Sequence, residues 1–400
     1  MESLKELYKI GVGPSSSHTL GPKKAAAYII NKYPDLESVE VYLYGSLALT
    51  GKGHLTDYII QQEFKKIPCN IHFISDSLPY HPNGMKFEVY KKGIKMAEHY
   101  IYSVGGGKIE VEGEKLPDAR NVYPHNTMTE ILEYIEKEHI SLWDYILRFE
   151  DDDIVDYLRL VLDTMFNEVK AGISDDSVIP GKLKLKRVAK TMYTQALNTR
   201  RESDREKLLI ASYAYAVAEE NASGKTIVTA PTCGASGVLP AVLYYARKEL
   251  GLHRIDIVKA LGVGGLFGNV IKTNATISGA DGGCQAEIGS ACAMAAASYA
   301  WILELNNSLI EYAAEMGMEH NLGLTCDPVG GYVQIPCIER NGFAALRAID
   351  AGLLAKQLGY IRKNKVRFDS IVKVMYETGK DLASPYKETS LGGLAREVKM

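Results

Sequence analysis

The sequence carries no surplus of either charge. Its 46 lysines and arginines stand against 49 aspartates and glutamates, a formal net charge of −3. Such a balance leaves no electrostatic footprint for nucleic acid, and no nucleic-acid partner is expected. A membrane-spanning run is also missing. The alanine-rich apolar stretch Ile288 to Leu303 has 16 residues without a charge, short of the ~20 that a bilayer requires. It reads as a buried core helix, and no membrane partner is expected. The opening Met1-Glu2-Ser3-Leu4-Lys5-Glu6 is charged and lacks an apolar signal core, so a cytoplasmic location is expected. The chain has no internal repeat, no low-complexity segment and no Cys-x-x-Cys pair. Spacing rules alone therefore identify neither a zinc nor an iron–sulfur site. No lysine motif argues for pyridoxal phosphate.

What is present divides the chain in two. Residues 1–148 mix strand-like and helix-like pieces. Val39 to Tyr44 alternates apolar and polar residues, Ile71 to Ile74 and Phe87 to Tyr90 read the same way, and Gly21-Pro22 opens a helix. The acidic Glu150-Asp151-Asp152-Asp153 marks a boundary or a solvated helix start. From 154 to 400 the texture is helical. Leu208 to Glu220, Leu239 to Leu250, one long run from Cys284 to Glu315, and Asn341 to Leu358 are rich in helix formers. Glycine-rich bends separate them. The fold class that follows is an α+β N-terminal domain followed by a mainly α-helical domain.

Three constellations carry chemical potential. In Gly13-Pro14-Ser15-Ser16-Ser17-His18-Thr19 a tight turn brings three hydroxyls and a histidine to a helix start. That arrangement suits a carboxylate or phosphate, with His18 placed to move a proton; it is equally a serine-rich helix cap with an incidental histidine. The turn Tyr80-His81-Pro82-Asn83-Gly84 offers a second histidine, or simply an exposed turn. The third is the cysteine set. Five of the six cysteines, Cys233, Cys284, Cys292, Cys326 and Cys337, fall within about a quarter of the chain, and Cys69 lies apart. Cys284 follows two glycines and opens a helix, where the dipole is expected to lower its pKa. Cys292, inside an alanine-rich helix, reads as core.

These motifs resemble the iron–sulfur L-serine dehydratases (L-serine ammonia-lyases) of bacteria. The resemblance runs from Gly13-Pro14-Ser15-Ser16-Ser17-His18-Thr19 through Thr229-Ala230-Pro231-Thr232 and Gly237-Val238-Leu239-Pro240-Ala241. It continues in Ser278 to Gln285, in Glu319-His320-Asn321-Leu322-Gly323-Leu324-Thr325-Cys326-Asp327-Pro328, in Pro336 to Asn341, and in Tyr386 to Leu394. It implies a catalytic helical domain in which Cys284, Cys326 and Cys337 hold a [4Fe-4S] cluster, with no pyridoxal phosphate. It further implies His18 and His81 as proton-transfer residues, and Ser15, Ser16, Ser17 and Asn83 as substrate contacts. The substrate implied is L-serine, converted to pyruvate and ammonia, and the assembly implied is a homodimer. The cluster would act as a Lewis acid on the serine hydroxyl. A cysteine desulfidase or threonine dehydratase using the same cluster is the enzyme alternative. A non-catalytic amino-acid-binding protein with a structural metal is the other. Two departures from the family pattern stand out. Cys233 occupies a position where asparagine is usual, and the chain ends Arg396-Glu397-Val398-Lys399-Met400 where relatives can carry a terminal cysteine. The open iron is therefore expected to be uncapped at rest.

Overall fold

A computed structural model describes residues 1–116 and 120–398. Lys399 and Met400, at the end compared above with cysteine-ended relatives, lie outside these described residues. Among the described residues seven strands occur in chain order: β1 (Ile10–Val12), β2 (Ser38–Tyr44), β3 (Cys69–Ile74), β4 (Gly84–Lys91), β5 (Ile94–Ser103), β6 (Ile109–Val111) and β7 (Thr226–Val228). β2 to β6 form one five-stranded sheet in the order β3-β2-β4-β5-β6. Only the β2–β3 pair is parallel, with Val41 opposite Ile71. Val41 also pairs with Phe87, and Phe87 with His99. Burial alternates strictly along β2, as a sheet with one covered face requires. β4 and β5 are joined across Lys92 and Gly93, both at positive φ, the backbone that a two-residue hairpin demands. Helix Gly21–Lys32 lays Ala25, Ala26 and Ile29 on the sheet, in one core with Val39, Val41, Leu43 and Phe87.

A second, larger core occupies the helical lobe. It includes Met1, Leu4, Leu7 and Tyr8, and takes in residues from Tyr123 onward. The N-terminal segment is thus packed into the helices before the chain crosses to the sheet. Glu150 belongs to this junction: it is buried and accepts from Ser3 Oγ, Leu4 N and Tyr123 OH at 2.5, 2.7 and 2.8 Å. Asp151 and Asp153 remain at the surface beside Lys5, just before helix Ile154–Gly172. Local capping sets several helix starts. Thr127 with Glu130 and Ser141 with Asp144 form reciprocal capping boxes. At the centre lies helix Ser290–Ile302, packed against Arg254–Asn274, Asn307–Glu319 and Cys337–Gly359. Its residues from Ser290 to Ala300 are buried, as a core helix should be. Among the described residues no helix is long and apolar enough to cross a membrane.

The expected single run from Cys284 to Glu315 is broken. A short π-helical turn, Gln285–Gly289, leads into Ser290–Ile302; the chain then reverses, and a new helix runs Asn307–Glu319. Helix propensity loses here to two local features. Glu304 takes a left-handed conformation, φ 58°, and the Asn306 side chain caps the N–H of Leu309 at 3.1 Å.

One buried acid in this lobe should leave a mark on stability. Glu168, on helix Ile154–Gly172, has neither carboxyl oxygen in a hydrogen bond. Burial pushes its pKa well above 4.5, the backbone N–H of Val228 only partly opposing. The folded chain keeps a proton that the unfolded chain releases above about pH 4.5, so stability falls as pH rises through that window. Glu168→Gln removes this titration. The variant should gain on the parent as pH rises above about 4.5, by up to about 1.4 kcal/mol per pH unit until the folded carboxyl itself ionises, read as a gap between anaerobic melting midpoints that widens with pH. A constant gap would mean that Glu168 is ionised in the fold.

Candidate active site

The short pairing of β1 with β7 sets the site. It aligns Ile10 with Val228 and Val12 with Thr226. Each strand runs into a signature loop, Gly13 to Thr19 on one side and Thr229 to Gly234 on the other. Asn221 Nδ2 donates to Pro14 O at 2.9 Å and ties the first loop to the end of helix Glu202–Ala222. Ser15 then caps the turn Ser16–Leu20, its Oγ accepting from His18 N at 3.1 Å. Asn341 does the same work for the helical lobe. Its Nδ2 donates to Gly234 O at 2.8 Å and its Oδ1 accepts from Gly237 N at 2.9 Å.

A narrow cavity opens where these loops meet. Ser15, His54 and Glu388 line one side; Cys284, Cys326, Cys337 and Glu287 line the other. Cys284 follows Gly283, whose φ of 73° turns the chain under Leu324. Cys337 is the first residue of helix Cys337–Gly359, after Pro336. Cys326 lies in a short parallel bridge with the C-terminal segment: its N–H donates to Tyr386 O and its carbonyl accepts from Glu388 N, both at 2.7 Å. Arg340 donates to Thr325 O at 2.5 Å beside these thiols. The expectation that a helix dipole lowers the Cys284 pKa is overturned. Burial pushes this thiol up to about 11, and the charge of Arg340 offsets only part of that. Burial also holds Cys326 and Cys337 well above the usual thiol value.

The C-terminal segment delivers a residue that sequence reasoning missed. Glu388 sits at φ 57°, a strained conformation for a residue with a side chain. Its carboxylate Oε1 lies 3.3 Å from His18 Nδ1 and 3.8 Å from His54 Nε2. The two imidazole rings are 4.4 Å apart. All three side chains are at most 5% exposed. Hydrogen-bond accounting assigns the tautomers. Thr50 Oγ1 spends its proton on Ser46 O, so it accepts from His54 Nδ1–H at 3.0 Å, and His54 Nε2 carries a lone pair. Ser46 Oγ spends its proton on Glu388 O, so it accepts from His18 Nε2–H at 2.9 Å, and His18 Nδ1 carries a lone pair. Burial lowers both histidines, His54 to about 3, and raises Glu388 above the carboxylate range, with Glu287 adding to that rise.

The remaining sequence candidates are placed as follows. Ser17 Oγ lies 3.1 Å from His18 Nδ1, and Ser16 is buried in the same turn. The His81 turn packs on Ser46 through Ser46 N to Pro82 O, 3.1 Å. His81 does not line the cavity; its Nδ1 accepts from Asn83 N at 3.1 Å, and Asp281 of the helical lobe acts on it electrostatically. Asn83 is buried, donating to Ser103 O at 3.3 Å with its Oδ1 unpartnered. Cys233 packs with Leu20 and Ile227 rather than facing the thiols. His54 stands in Gly51-Lys52-Gly53-His54 without an independent signal; Arg340 lies in the Pro336 to Asn341 motif beside Cys337, Glu388 in the cysteine-free Tyr386 to Leu394 motif, and Glu287 two residues beyond Gln285.

Gly53 shows how closely the lobes meet. A Cβ there would lie 2.3 Å from Gly331 O and 2.5 Å from Gly331 C. Both are backbone atoms and cannot rotate aside. Gly53→Ala should therefore shift the neighbouring His54. Displacement by about 1 Å is expected to cost turnover about a hundredfold, with a smaller change in KM and a loss of about 1–3 kcal/mol of stability from overpacking, read as a lowered melting point. Normal turnover would show that this contact does not set the histidine.

Comparison with known proteins gives the chain a family. Residues 92–395 match the serine dehydratase alpha chain family and residues 3–65 the serine dehydratase beta chain family. An L-serine dehydratase of Streptomyces coelicolor is 39% identical over 99% of both chains. L-serine dehydratase 1 of Escherichia coli K12 is 38% identical over the full length of both, and L-serine dehydratase 2 of the same strain is 36% identical over 100% of this chain and 99% of its own. The chain belongs to the L-serine dehydratase family, with alpha-chain and beta-chain regions joined in one polypeptide.

Proposed function

We propose that this protein is an L-serine ammonia-lyase that converts L-serine to pyruvate and ammonia, with a [4Fe-4S] cluster held by Cys284, Cys326 and Cys337. The observation that carries the reading is the convergence of these three thiols with His54 and Glu388 on one buried cavity. The thiol spacing supports a cluster over a single ion. Tetrahedral zinc with 2.3 Å bonds holds its thiolates about 3.8 Å apart. Among the described residues these cysteines belong to no group of three whose ligand atoms lie within 4.8 Å of one another. When bound, the cluster supplies a Lewis-acidic iron for the serine hydroxyl.

The chain's own residues do the rest. The Ser15–Ser17 turn presents a hydroxyl and helix-start N–H groups to the substrate carboxylate. His54 Nε2, a bare lone pair on the cavity wall, takes the α-proton. Thr50 holds its tautomer, while Glu388 and His18 stand behind it to pass the proton on. Loss of water leaves aminoacrylate, which tautomerises to an imine and hydrolyses to pyruvate and ammonia. We assign the turn of His81 and Asn83, which packs on Ser46 without lining the cavity, to supporting the outer edge of the site. No pyridoxal phosphate takes part, and the enzyme works as a cytoplasmic homodimer. Anaerobic purification, iron and sulfide analysis, and a serine-to-pyruvate assay test the reading. A colourless, iron-free sample with full activity would overturn it.

A further inference from the structure

Three potential ligand atoms, from His18, His54 and Glu388, converge on one point in this protein, and their proton-handling role in the proposed reaction does not use their closeness to a single centre. His18 Nδ1, His54 Nε2 and Glu388 Oε1 are, among the described residues, the one group of three metal-ligating side chains whose ligand atoms lie within 4.8 Å of one another. Both imidazoles point their unprotonated nitrogens inward, His18 Nδ1 within 3.1 Å of the Ser17 hydroxyl that a metal would displace, because Ser46 and Thr50 take the N–H on the far side of each ring. That outer arrangement is the one metal-ligating histidines adopt, since it fixes the tautomer and the ring. The second carboxylate oxygen, Glu388 Oε2, is buried with no partner. A group so placed is costly to leave empty-handed.

The geometry points to a second metal site: we propose that His18, His54 and Glu388 bind one divalent transition-metal ion of the zinc class, and that its occupation inhibits the enzyme. Zinc bonds of about 2.0–2.2 Å to nitrogen and oxygen in a tetrahedral array place ligand atoms about 3.3 Å apart. The observed 3.3 and 3.8 Å separations from Glu388 Oε1 need only a small contraction. Two imidazoles and one carboxylate favour zinc over calcium or magnesium, which take oxygen. Three protein ligands leave a fourth position toward the cavity that His54 and Glu388 line. Binding itself depends on none of the chemistry proposed above. Inhibition does rest on it, because the metal would occupy the lone pair assigned to take the α-proton.

Anaerobic holoenzyme equilibrated with zinc chloride, then freed of unbound metal, should gain one zinc per chain with its iron unchanged. Turnover should fall at least about tenfold, and EDTA should restore it. In Glu388→Gln and, separately, His18→Ala, each checked for retained iron and an unchanged melting point, zinc affinity should drop by more than about a hundredfold, beyond what loss of an outer partner costs. Thr50→Val, which removes only the outer acceptor, should lose about ten- to a hundredfold. No zinc uptake, or undiminished affinity in the ligand variants, overturns the site. So does zinc that enters only as iron leaves, which would put it on the thiols. Zinc bound in the triad with turnover intact would overturn the inhibition and, with it, the role given to His54.

Discussion

Cys326→Ser is expected to leave the protein without iron and without measurable pyruvate formation. Cys326 is anchored on both sides by backbone hydrogen bonds to the C-terminal segment, at 2.7 Å each, so its sulfur cannot be replaced by a neighbour swinging in. A serine hydroxyl in the same place is a hard, weakly acidic donor where iron–sulfur centres take thiolate. Before metal binds these thiols are neutral, since burial holds all three above the usual value. Metal uptake must therefore release protons, and affinity should weaken as pH falls. Cys284→Ser and Cys337→Ser should behave like Cys326→Ser, with iron falling from about four per chain toward zero. Cys292→Ser should keep its cluster: Cys292 is buried in the central helix, donating to Ala344 O. Cys69→Ser should keep it too, from the far edge of the sheet lobe. Iron analysis alongside the anaerobic serine assay decides the matter. Full iron in all three ligand variants would sink the assignment.

The second large effect concerns the base. His54→Ala should retain iron and lose turnover by about a hundredfold to ten-thousandfold, the range that a positioned general base supplies. The argument rests on the lone pair. Thr50 fixes the His54 N–H away from the cavity, so Nε2 has no proton at rest. Burial keeps it that way, holding the imidazole to about pKa 3 in the closed site. His18→Ala should cost less than His54→Ala, because His18 contacts Glu388 and Ser46 behind the cavity wall. His81→Ala should change KM more than kcat if His81 only supports the outer edge of the site. Measured kcat and KM for the three variants separate these roles. A His81 variant crippled in kcat, with His54→Ala near normal, would return the base to the His81 turn.

Much of the architecture was legible one residue at a time. Alternation from Val39 to Tyr44 marked β2, and the Asn341 to Leu358 run marked most of Cys337–Gly359. Such elements announce themselves because periodicity and helix propensity act over short distances. The break within the Cys284 to Glu315 run was harder to see, since Glu304 and Asn306 outweigh good helix formers on either side only once the chain reverses there.

The sequence by itself determined the family and the two-part fold, and through the family resemblance it implied the three cysteines. Each lives in a contiguous motif, so its signal survives without tertiary structure. Only the folded molecule decided which groups face one another. Ser46 and Glu388 meet although 342 positions separate them, and β1 finds β7 across most of the chain. No local pattern encodes those encounters. They follow from packing two cores so closely that Gly53 lies against Gly331. The pKa of Cys284 went the same way: a helix start suggested a lowered value, but the desolvation that raised it depends on what the whole protein places around the sulfur.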